Sequence, residues 1–319
     1  MKDLNSTALR IENQRIWILD QTRLPLQEEW LEVTDPQAMV DAIRRLAVRG
    51  APLISIAASA CLAIFADGES GREKILETAA FLRDSRPTAV NLMRALDRML
   101  ATDLSPERLR AVAEEIFEED VRLCEGIAKH GAALLEDGDQ ILTHCNTGGL
   151  GTTGAGTAIG ILREAHEQGK KIHVYVDETR PLLQGGRLTT WELDRAGVSY
   201  TLICDNMAAA LMRDGKIHKA VVGADRIAMN GDFANKTGTY SVAVLCHHHK
   251  LPFYCAAPWT TVDPDCENGK GIPIEMRNPD EVRGYRDVIW APRECEVYNP
   301  ALDVTPVDYL TGLVQDTGY

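Results

Sequence analysis

No two of the eight cysteines form a C-x-x-C pair; they stand singly at 61, 124, 145, 204, 246, 255, 266 and 295. That excludes a zinc ribbon or a disulfide framework and suits a reducing compartment. The chain has no apolar run long enough to cross a bilayer, and its opening residues, MKDLNSTALR, lack the apolar core of a secretory leader. A cytoplasmic protein is expected. Positive charge is also scarce, with 34 Lys and Arg against 47 Asp and Glu and a formal net charge of −13. Such a field repels nucleic acid and anionic membranes, so neither is an expected partner. An anionic ligand would have to be met by a local basic cluster.

What the chain does contain is an ordinary globular composition, 45% hydrophobic and 25% charged over 319 residues, a length that favours two domains. Its organising stretch is QILTHCNTGGLGTTGAGTAIG, residues 140–160. A short apolar run leads to Thr143-His144-Cys145-Asn146-Thr147, then to Gly148, Gly149, Gly151, Gly154 and Gly156, then to an apolar helical pattern. The order is strand, glycine loop, helix. Such a loop lets backbone N–H groups approach an anion without a Cβ in the way, and the helix N-terminus adds partial positive charge. Phosphate is the first ligand it suggests. Residues 149–154 also satisfy G-x-G-x-x-G, and Asp177 ends the next strand where a ribose-binding acid would stand, so a dinucleotide site is open on this motif. Against it stand Cys145, Asn146 and Thr147, polar side chains where the fingerprint needs close glycine packing.

Taken in order, residues 8–25 read as a β-hairpin broken at Glu12-Asn13-Gln14. Asp35-Pro36 reads as an N-cap and first helical residue, opening a helix through Met39, Ile43 and Leu46 that Gly50 ends in the left-handed region. Pro52 then opens an apolar helix, and another begins after Ser85-Arg86-Pro87-Thr88. Residues 105–130 form an acidic amphipathic helix, with Glu114, Glu115, Glu118, Glu119 and Asp120 read as a solvated face. Arg49 and Arg86 each stand at a helix junction. Either is a solvated end residue, or both converge on one anion, Arg49 together with the N–H groups of Gly50 and Ala51.

Beyond residue 140 strand patterns at 141–145, 172–177, 200–204, 220–224 and 252–257 alternate with helical ones at 155–168, 188–196, 207–212 and 238–249. The expected fold is α/β, with a Rossmann-like, doubly wound parallel sheet in residues 126–319 and a smaller β-plus-helical domain in residues 1–125. Ligands of such sheets gather beyond the carboxyl ends of the strands. There the chain sets Cys145-Asn146-Thr147, Asp177-Glu178-Thr179-Arg180, Asp205-Asn206, Asp225-Arg226 and Pro258-Trp259-Thr260-Thr261, a rim of polar groups. Asp225, between an apolar strand and a glycine-rich turn, is placed for a raised pKa and general-acid work, or merely caps a turn or pairs with Arg226. Lys236 is placed to meet phosphate. Gln184 alone reads better as a solvated loop amide than as a sugar ligand. The run Cys246-His247-His248-His249 points its rings in different directions on a helix, so no metal site is expected there. Cys266 lies in a polar loop without an evident role.

Seven blocks together carry a resemblance: VRGAP (48–52), RPTAVNLM (86–93), LTHCNTGGL (142–150), VDETRPLLQGGRLT (176–189), DNMAA (205–209), VGADRIAMNGDFANKTGTY (222–240) and VYNPALDVTP (297–306). In sequence order and over nearly the whole chain, the protein resembles the 5-methylthioribose-1-phosphate isomerase family of methionine salvage, a likeness far more specific than the glycine fingerprint and one that removes the dinucleotide reading. The resemblance implies a phosphosugar held by Arg49, Gly50, Ala51, Arg86, Gln184, Asn235 and Lys236, with Cys145 and Asp225 catalytic. It also implies a homodimer, no metal and no redox cofactor. Leu53, Ser55, Met229, Phe233 and Thr237 depart from the family's usual residues, which bears on pocket shape. On this reading Asp225, protonated, opens the ring of an aldose 1-phosphate, and C1 and C2 exchange oxidation level through an enediol or a hydride shift. Cys145 is the thiolate base of the first route or a polarising neighbour in the second. Rival readings are an isomerase of 5-deoxyribose 1-phosphate or ribose 1,5-bisphosphate, the latter needing a second basic cluster that is not evident in the sequence, and a non-catalytic regulatory subunit of a translation-initiation exchange factor.

Overall fold

A computed structural model describes residues 1–68, 71–87 and 89–319; Thr88 of the second junction lies outside the described residues. The chain opens with four antiparallel strands in sequential order, β1 (Leu4–Asn5), β2 (Leu9–Glu12), β3 (Arg15–Leu19) and β4 (Trp30–Glu32). The expected hairpin is β2–β3, turned by Asn13 and Gln14 with φ of 50° and 61°, the two-residue left-handed turn that matches strand twist. Its flanking partners β1 and β4 are too short to show a period in the sequence. Helix α1 (Pro36–Arg44) starts where expected, the Asp35 side chain accepting from the N–H groups of Gln37 and Ala38. It ends earlier than expected, because Leu46, not Gly50, takes the left-handed position, at φ 63°.

Gly50 serves instead as N-cap of α2 (Ala51–Asp67), with φ 93°, and a Cβ there would fall 2.5 Å from the Cα of Gly151. Glycine is required because two backbones touch, and the contact joins the N-terminal part to the glycine loop. Helix α2 is apolar all round and buried against α4 (Val90–Leu100) and α5 (Pro106–Ala132), with α3 (Arg72–Arg83) beside it. Leu150 and Leu188, from the C-terminal part, enter the same core. We place the division between the two parts inside α5, whose Phe117 packs in the first core and whose Ile127 packs in the next.

The remaining elements are β5 (Gln140–Thr143), α6 (Ala158–Glu167), β6 (His173–Asp177), α7 (Thr190–Arg195), β7 (Ser199–Ile203), α8 (Ala208–Arg213), β8 (Lys219–Val222), β9 (Arg226–Ile227), β10 (Phe233–Lys236), α9 (Thr239–His249) and β11 (Phe253–Ala256). They are followed by α10 (Asp280–Arg283), β12 (Gly284–Tyr285), β13 (Val288–Ile289), β14 (Leu302–Thr305) and β15 (Gly312–Val314). Six strands form a parallel sheet in the order β15-β11-β8-β5-β6-β7, one more than the five expected, since β15 joins the edge beside β11. Alternate residues of one strand enter different cores: Ile141, Val221 and Ala256 pack with α6, whereas Leu142, Val222 and Cys255 pack with α8 and α9. The sheet is therefore covered on both faces. Successive strands run outward from β5 to one edge and from β8 to the other, which makes the gap between β5 and β8 the topological switch point. Cys145 follows β5 and Asp225 follows β8.

The Gly50–Gly151 contact is testable. Gly50→Ala should lower the unfolding free energy by about 2–4 kcal/mol, the sum of left-handed strain and overpacking, read as a reduced urea midpoint; an unchanged midpoint would show that this contact does not constrain the fold.

Candidate active site

The tip of β5 is built to hold Cys145 in a left-handed conformation, φ 68°. Its N–H donates to Thr179 Oγ1 (2.9 Å), its carbonyl accepts from Thr189 Oγ1 (2.6 Å), and its side chain is buried. The next residue, Asn146, is the junction of the two parts. Arg49 donates through Nη1 to the Asn146 carbonyl (3.0 Å) and through Nη2 to Asn146 Oδ1, while its Nε donates to Gln21 Oε1 (2.9 Å). Asn146 Nδ2 in turn donates to Glu192 Oε1 at 2.8 Å.

Glu192 changes the reading of the glycine loop. Its buried carboxylate accepts from the N–H of Gly149 (2.7 Å) and of Leu150 (3.2 Å), so donors that suggested a phosphate already have an anion of the protein's own. Asp120 does the same further along, accepting from Thr153 N (2.6 Å) and Thr153 Oγ1 (2.9 Å). The loop is therefore an internally neutralised strut. Two expectations are corrected: phosphate does not belong on the glycine loop, and Asp120 is no part of a solvated acidic face. Burial pushes both carboxyls up, Asp120 to about 6, against the pull of these donors.

A cavity lined by basic side chains lies at the switch point. Asp225 N donates to the Ala234 carbonyl (2.9 Å), a strand-like pairing that sets Asp225 beside Asn235 and Lys236 on β10. Gly223 just before it leaves room for Thr147, whose Cγ2 would lie 2.3 Å from a Cβ at that position. Arg226 pairs with Asp263 at 3.3 Å and not with Asp225, whose carboxyl has no ion-pair or hydrogen-bond partner among the described residues. Arg49, Gly50, Ala51 and Arg86 face Cys145, Gln184, Asp225 and Lys236 across one cavity, and Asn235 lines an adjoining lobe that also reaches Cys145 and Asp225. All nine residues singled out from the sequence thus gather around one space.

Water exclusion sets the charges of this space. Burial raises the Asp225 carboxyl, the cations Lys236, Arg86 and Arg49 pulling the other way, and likewise raises the Cys145 thiol against Arg49 and Lys236. Burial also lowers Lys236, whose Nζ donates to the Ala301 carbonyl (2.8 Å). Gln184 is no solvated amide: it is buried at the start of a π-helical turn, Gly185–Thr189, and its Oε1 has no partner among the described residues. The buried Nε of Arg86 is likewise without a partner among the described residues, its Nη2 lying 3.3 Å from Glu275. Orphaned buried donors and acceptors at a cavity wall are the groups a polar ligand satisfies.

Sequence reasoning missed Glu192, Gln21 and Arg277, which also line or brace the site. Arg277 is held by Glu275 and Glu281 in a stretch with no periodic pattern, and a single buried Glu in α7 looks like any helical carboxylate. One cluster has metal-ligand character among the described residues, His144, Asp177 and Asp205. Its donor set is already committed: His144 bridges Asp177 Oδ2 (2.9 Å) and the Thr237 carbonyl (3.0 Å), and Asp205 accepts from the N–H groups of Thr179 and Arg180, both at 2.7 Å. With one ring nitrogen on the Asp177 carboxyl and the other on the Thr237 carbonyl, His144 has no free lone pair to offer a metal in this arrangement. Asp177, the would-be ribose acid, is thereby accounted for.

Comparison with known proteins assigns the class. The model of the initiation factor 2 subunit family matches residues 47–319, and the chain belongs to that family. Within it the chain is similar to methylthioribose-1-phosphate isomerase of Yersinia pestis (strain Pestoides F), 53% identical over 323 residues and covering 99% of this chain and 93% of the relative. Among solved structures, 5-methylthioribose 1-phosphate isomerase from Pyrococcus horikoshii OT3 matches with a TM-score of 0.89 at 40% identity, covering 99% of this chain and 92% of that one. Translation initiation factor eIF-2B, subunit delta, from A. fulgidus matches with a TM-score of 0.85 at the same 40% identity, covering 98% and 95%. The fold is thus shared by proteins named for catalysis and for translation initiation, and the cavity has to distinguish them.

The buried Asp120 yields a pH signature. Its folded pKa of about 6 stands above the ordinary 3.8, so the folded state binds the proton more tightly; the stability from this group is fully present below about pH 4 and lost as pH rises through 6. Asp120→Asn removes that titration. The difference in unfolding free energy, variant minus wild type, should therefore grow by up to about 3 kcal/mol from pH 4 to 7. A difference independent of pH would contradict the assignment.

Proposed function

We propose that this chain is an aldose–ketose isomerase that converts 5-methylthioribose 1-phosphate to 5-methylthioribulose 1-phosphate. The observation that carries the reading is the convergence of Cys145, Asp225 and the basic groups Arg49, Arg86 and Lys236 on one cavity at the sheet's switch point. The likeness to named isomerases over nearly the full chain supports it. An anomeric carbon locked as a phosphate ester presents no free aldehyde, so the ring has to open by acid catalysis. Asp225, with its pKa raised by burial, is the acid: it gives its proton to the ring oxygen as the C1–O bond breaks.

The electron-poor C1 then takes hydride from C2, and the C2 hydroxyl loses its proton to become the ketone. What C2 loses C1 gains, so the oxidation balance closes within the substrate without a redox cofactor. The buried thiol of Cys145 supports this hydride route over an enediol, because a group whose pKa burial has raised is a poor thiolate base in the empty pocket. Cys145 then polarises the C1–C2 bond region and relays the hydroxyl proton to the Asp225 carboxylate, which restores the acid. Gly50, Ala51, Arg49, Arg86, Asn235 and Lys236 hold the phosphate, and Gln184 meets a sugar hydroxyl with its unsatisfied Oε1. We also infer a cytosolic homodimer: the cysteines are all free, as a reducing compartment keeps them, and the resemblance implies the dimer. The second reading, a non-catalytic assembly subunit, draws on the likeness to eIF-2B, subunit delta, from A. fulgidus.

Proton and phosphorus NMR of 5-methylthioribose 1-phosphate with the protein in D2O tests both reaction and route. A 1-phosphoketose carrying no solvent deuterium at C1 is expected; deuterium at C1 would overturn the hydride route, and an unchanged substrate spectrum from folded protein would overturn the isomerase and favour the assembly subunit. Cys145→Ser and Asp225→Asn should each lower kcat about a hundredfold or more while substrate affinity is kept. Near-normal turnover in either would remove that residue from the chemistry.

A further inference from the structure

A second cavity, of about 640 Å³, opens beside the reaction pocket and shares Leu46, Arg49, Leu182 and Gln184 with it. Its wall joins three distant segments: Thr22 and Arg45 near the N-terminus, Arg187 in the turn before α7, and Arg286 and Arg293 at and after the β12–β13 hairpin. The basic cluster that is not evident in the sequence is assembled here by folding.

Arg187 is the informative member. Among the described residues its guanidinium donates only to backbone carbonyls, Nε to Leu182 (3.0 Å) and Nη1 to Gln21 (2.9 Å) and Leu24 (3.3 Å), and it lies 6.0 Å from the centre of the Tyr285 ring. Carbonyls solvate a cation without neutralising it, and no carboxylate lies within ion-pair distance of Arg187 among the described residues. Burial and the nearby cations Arg49 and Arg286 press its pKa down, Tyr285 opposing. Arg286 donates to the Thr22 carbonyl (3.2 Å). Both carboxylates of the cavity are already paired, Asp280 with Arg283 of the same wall at 3.0 Å and Glu281 with Arg277, and Arg45 is paired with Asp20 at 2.9 Å. What remains is uncompensated positive charge lining a concave space in a chain of net charge −13. The two N–H donors of Arg187 Nη2 are left for the oxygens of an anion.

We propose that Arg187, with Arg286 and Arg293 at the mouth, forms a second anion site for a phosphomonoester, the vestibule through which the phosphosugar reaches the reaction pocket. Arg49, on the shared wall, is where the phosphate passes from one site to the other. A local basic basin in an acidic protein concentrates an anionic substrate at its entrance. Only the identity of the phosphomonoester rests on the isomerase reading.

Equilibrium dialysis of labelled inorganic phosphate against the full chain at low ionic strength tests the site without any turnover. Two phosphates per chain are expected, one lost in Arg187→Met and the other in Arg86→Met. A single phosphate lost in Arg86→Met, or two retained in Arg187→Met, overturns the proposal. Should Arg187→Met fail to fold, the double variant Arg286→Gln, Arg293→Gln, altered at two exposed positions, should weaken the second phosphate about fivefold or more. It should also lower kcat/KM about fivefold at low salt and flatten its dependence on ionic strength. Unchanged phosphate affinity in that variant also overturns it. Two phosphate sites in a protein that does not isomerise the sugar would leave the vestibule standing and remove only the isomerase.

Discussion

The arrangement of this molecule depends on one charge-assisted relay, from the Arg49 guanidinium through Asn146 to the Glu192 carboxylate. Each member belongs to a different segment: the turn before α2, the tip of β5, and α7. Removing any one would leave a buried donor or acceptor unmatched, which is far more costly than the modest net worth of a matched bond. The relay closes the N-terminal helices onto the sheet where the glycine loop begins, and Gly50 lying against Gly151 is its steric counterpart. Because Glu192 and Asp120 neutralise the loop's N–H groups from within, the loop fixes Cys145 and leaves anion binding to the cavity on its other side.

That cavity is tuned by desolvation more than by any pair of charges. Burial raises Asp225 and Cys145 and lowers Lys236, so all three are pushed towards their neutral forms while the pocket is empty. A phosphate dianion entering such a space reverses the balance at Lys236, whose cationic form it favours. Asp225, facing a newly negative neighbour, is pushed further towards its protonated form. On the proposed mechanism, binding energy at the phosphate thus prepares the group that opens the ring, a distribution of effort that suits a reaction starting from a locked sugar.

Much of this was legible in the sequence because it rests on local patterns. The strands that flank the switch point are continuous apolar runs, the glycine-rich stretch marks the loop, and the polar strand ends mark the rim. What escaped was what depends on distance. The orientation of the glycine loop's donors is decided by Glu192, 43 residues from Gly149, and nothing about an acidic residue in α7 announces that it is buried. The run Glu118-Glu119-Asp120 reads as one solvated face, yet the helix turns Asp120 inward while Glu118 remains on the surface. The left-handed position at Leu46 violates the preference for glycine, and so α1 ends before its expected stop. Strand β15 escaped because at three residues it shows no alternation. Arg187, Arg286 and Arg293 come together only when the C-terminal hairpin folds over the N-terminal part.

The most direct measurement is a crystal structure of the Cys145→Ser variant with 5-methylthioribose 1-phosphate bound. The account predicts the phosphate against the N–H groups of Gly50 and Ala51 and the side chains of Arg86 and Lys236, the ring oxygen within hydrogen-bond reach of Asp225, and Glu192 still capping Gly149 and Leu150. A phosphate seated on the glycine loop with Glu192 displaced, or a sugar turned so that Asp225 cannot reach the ring oxygen, would contradict it.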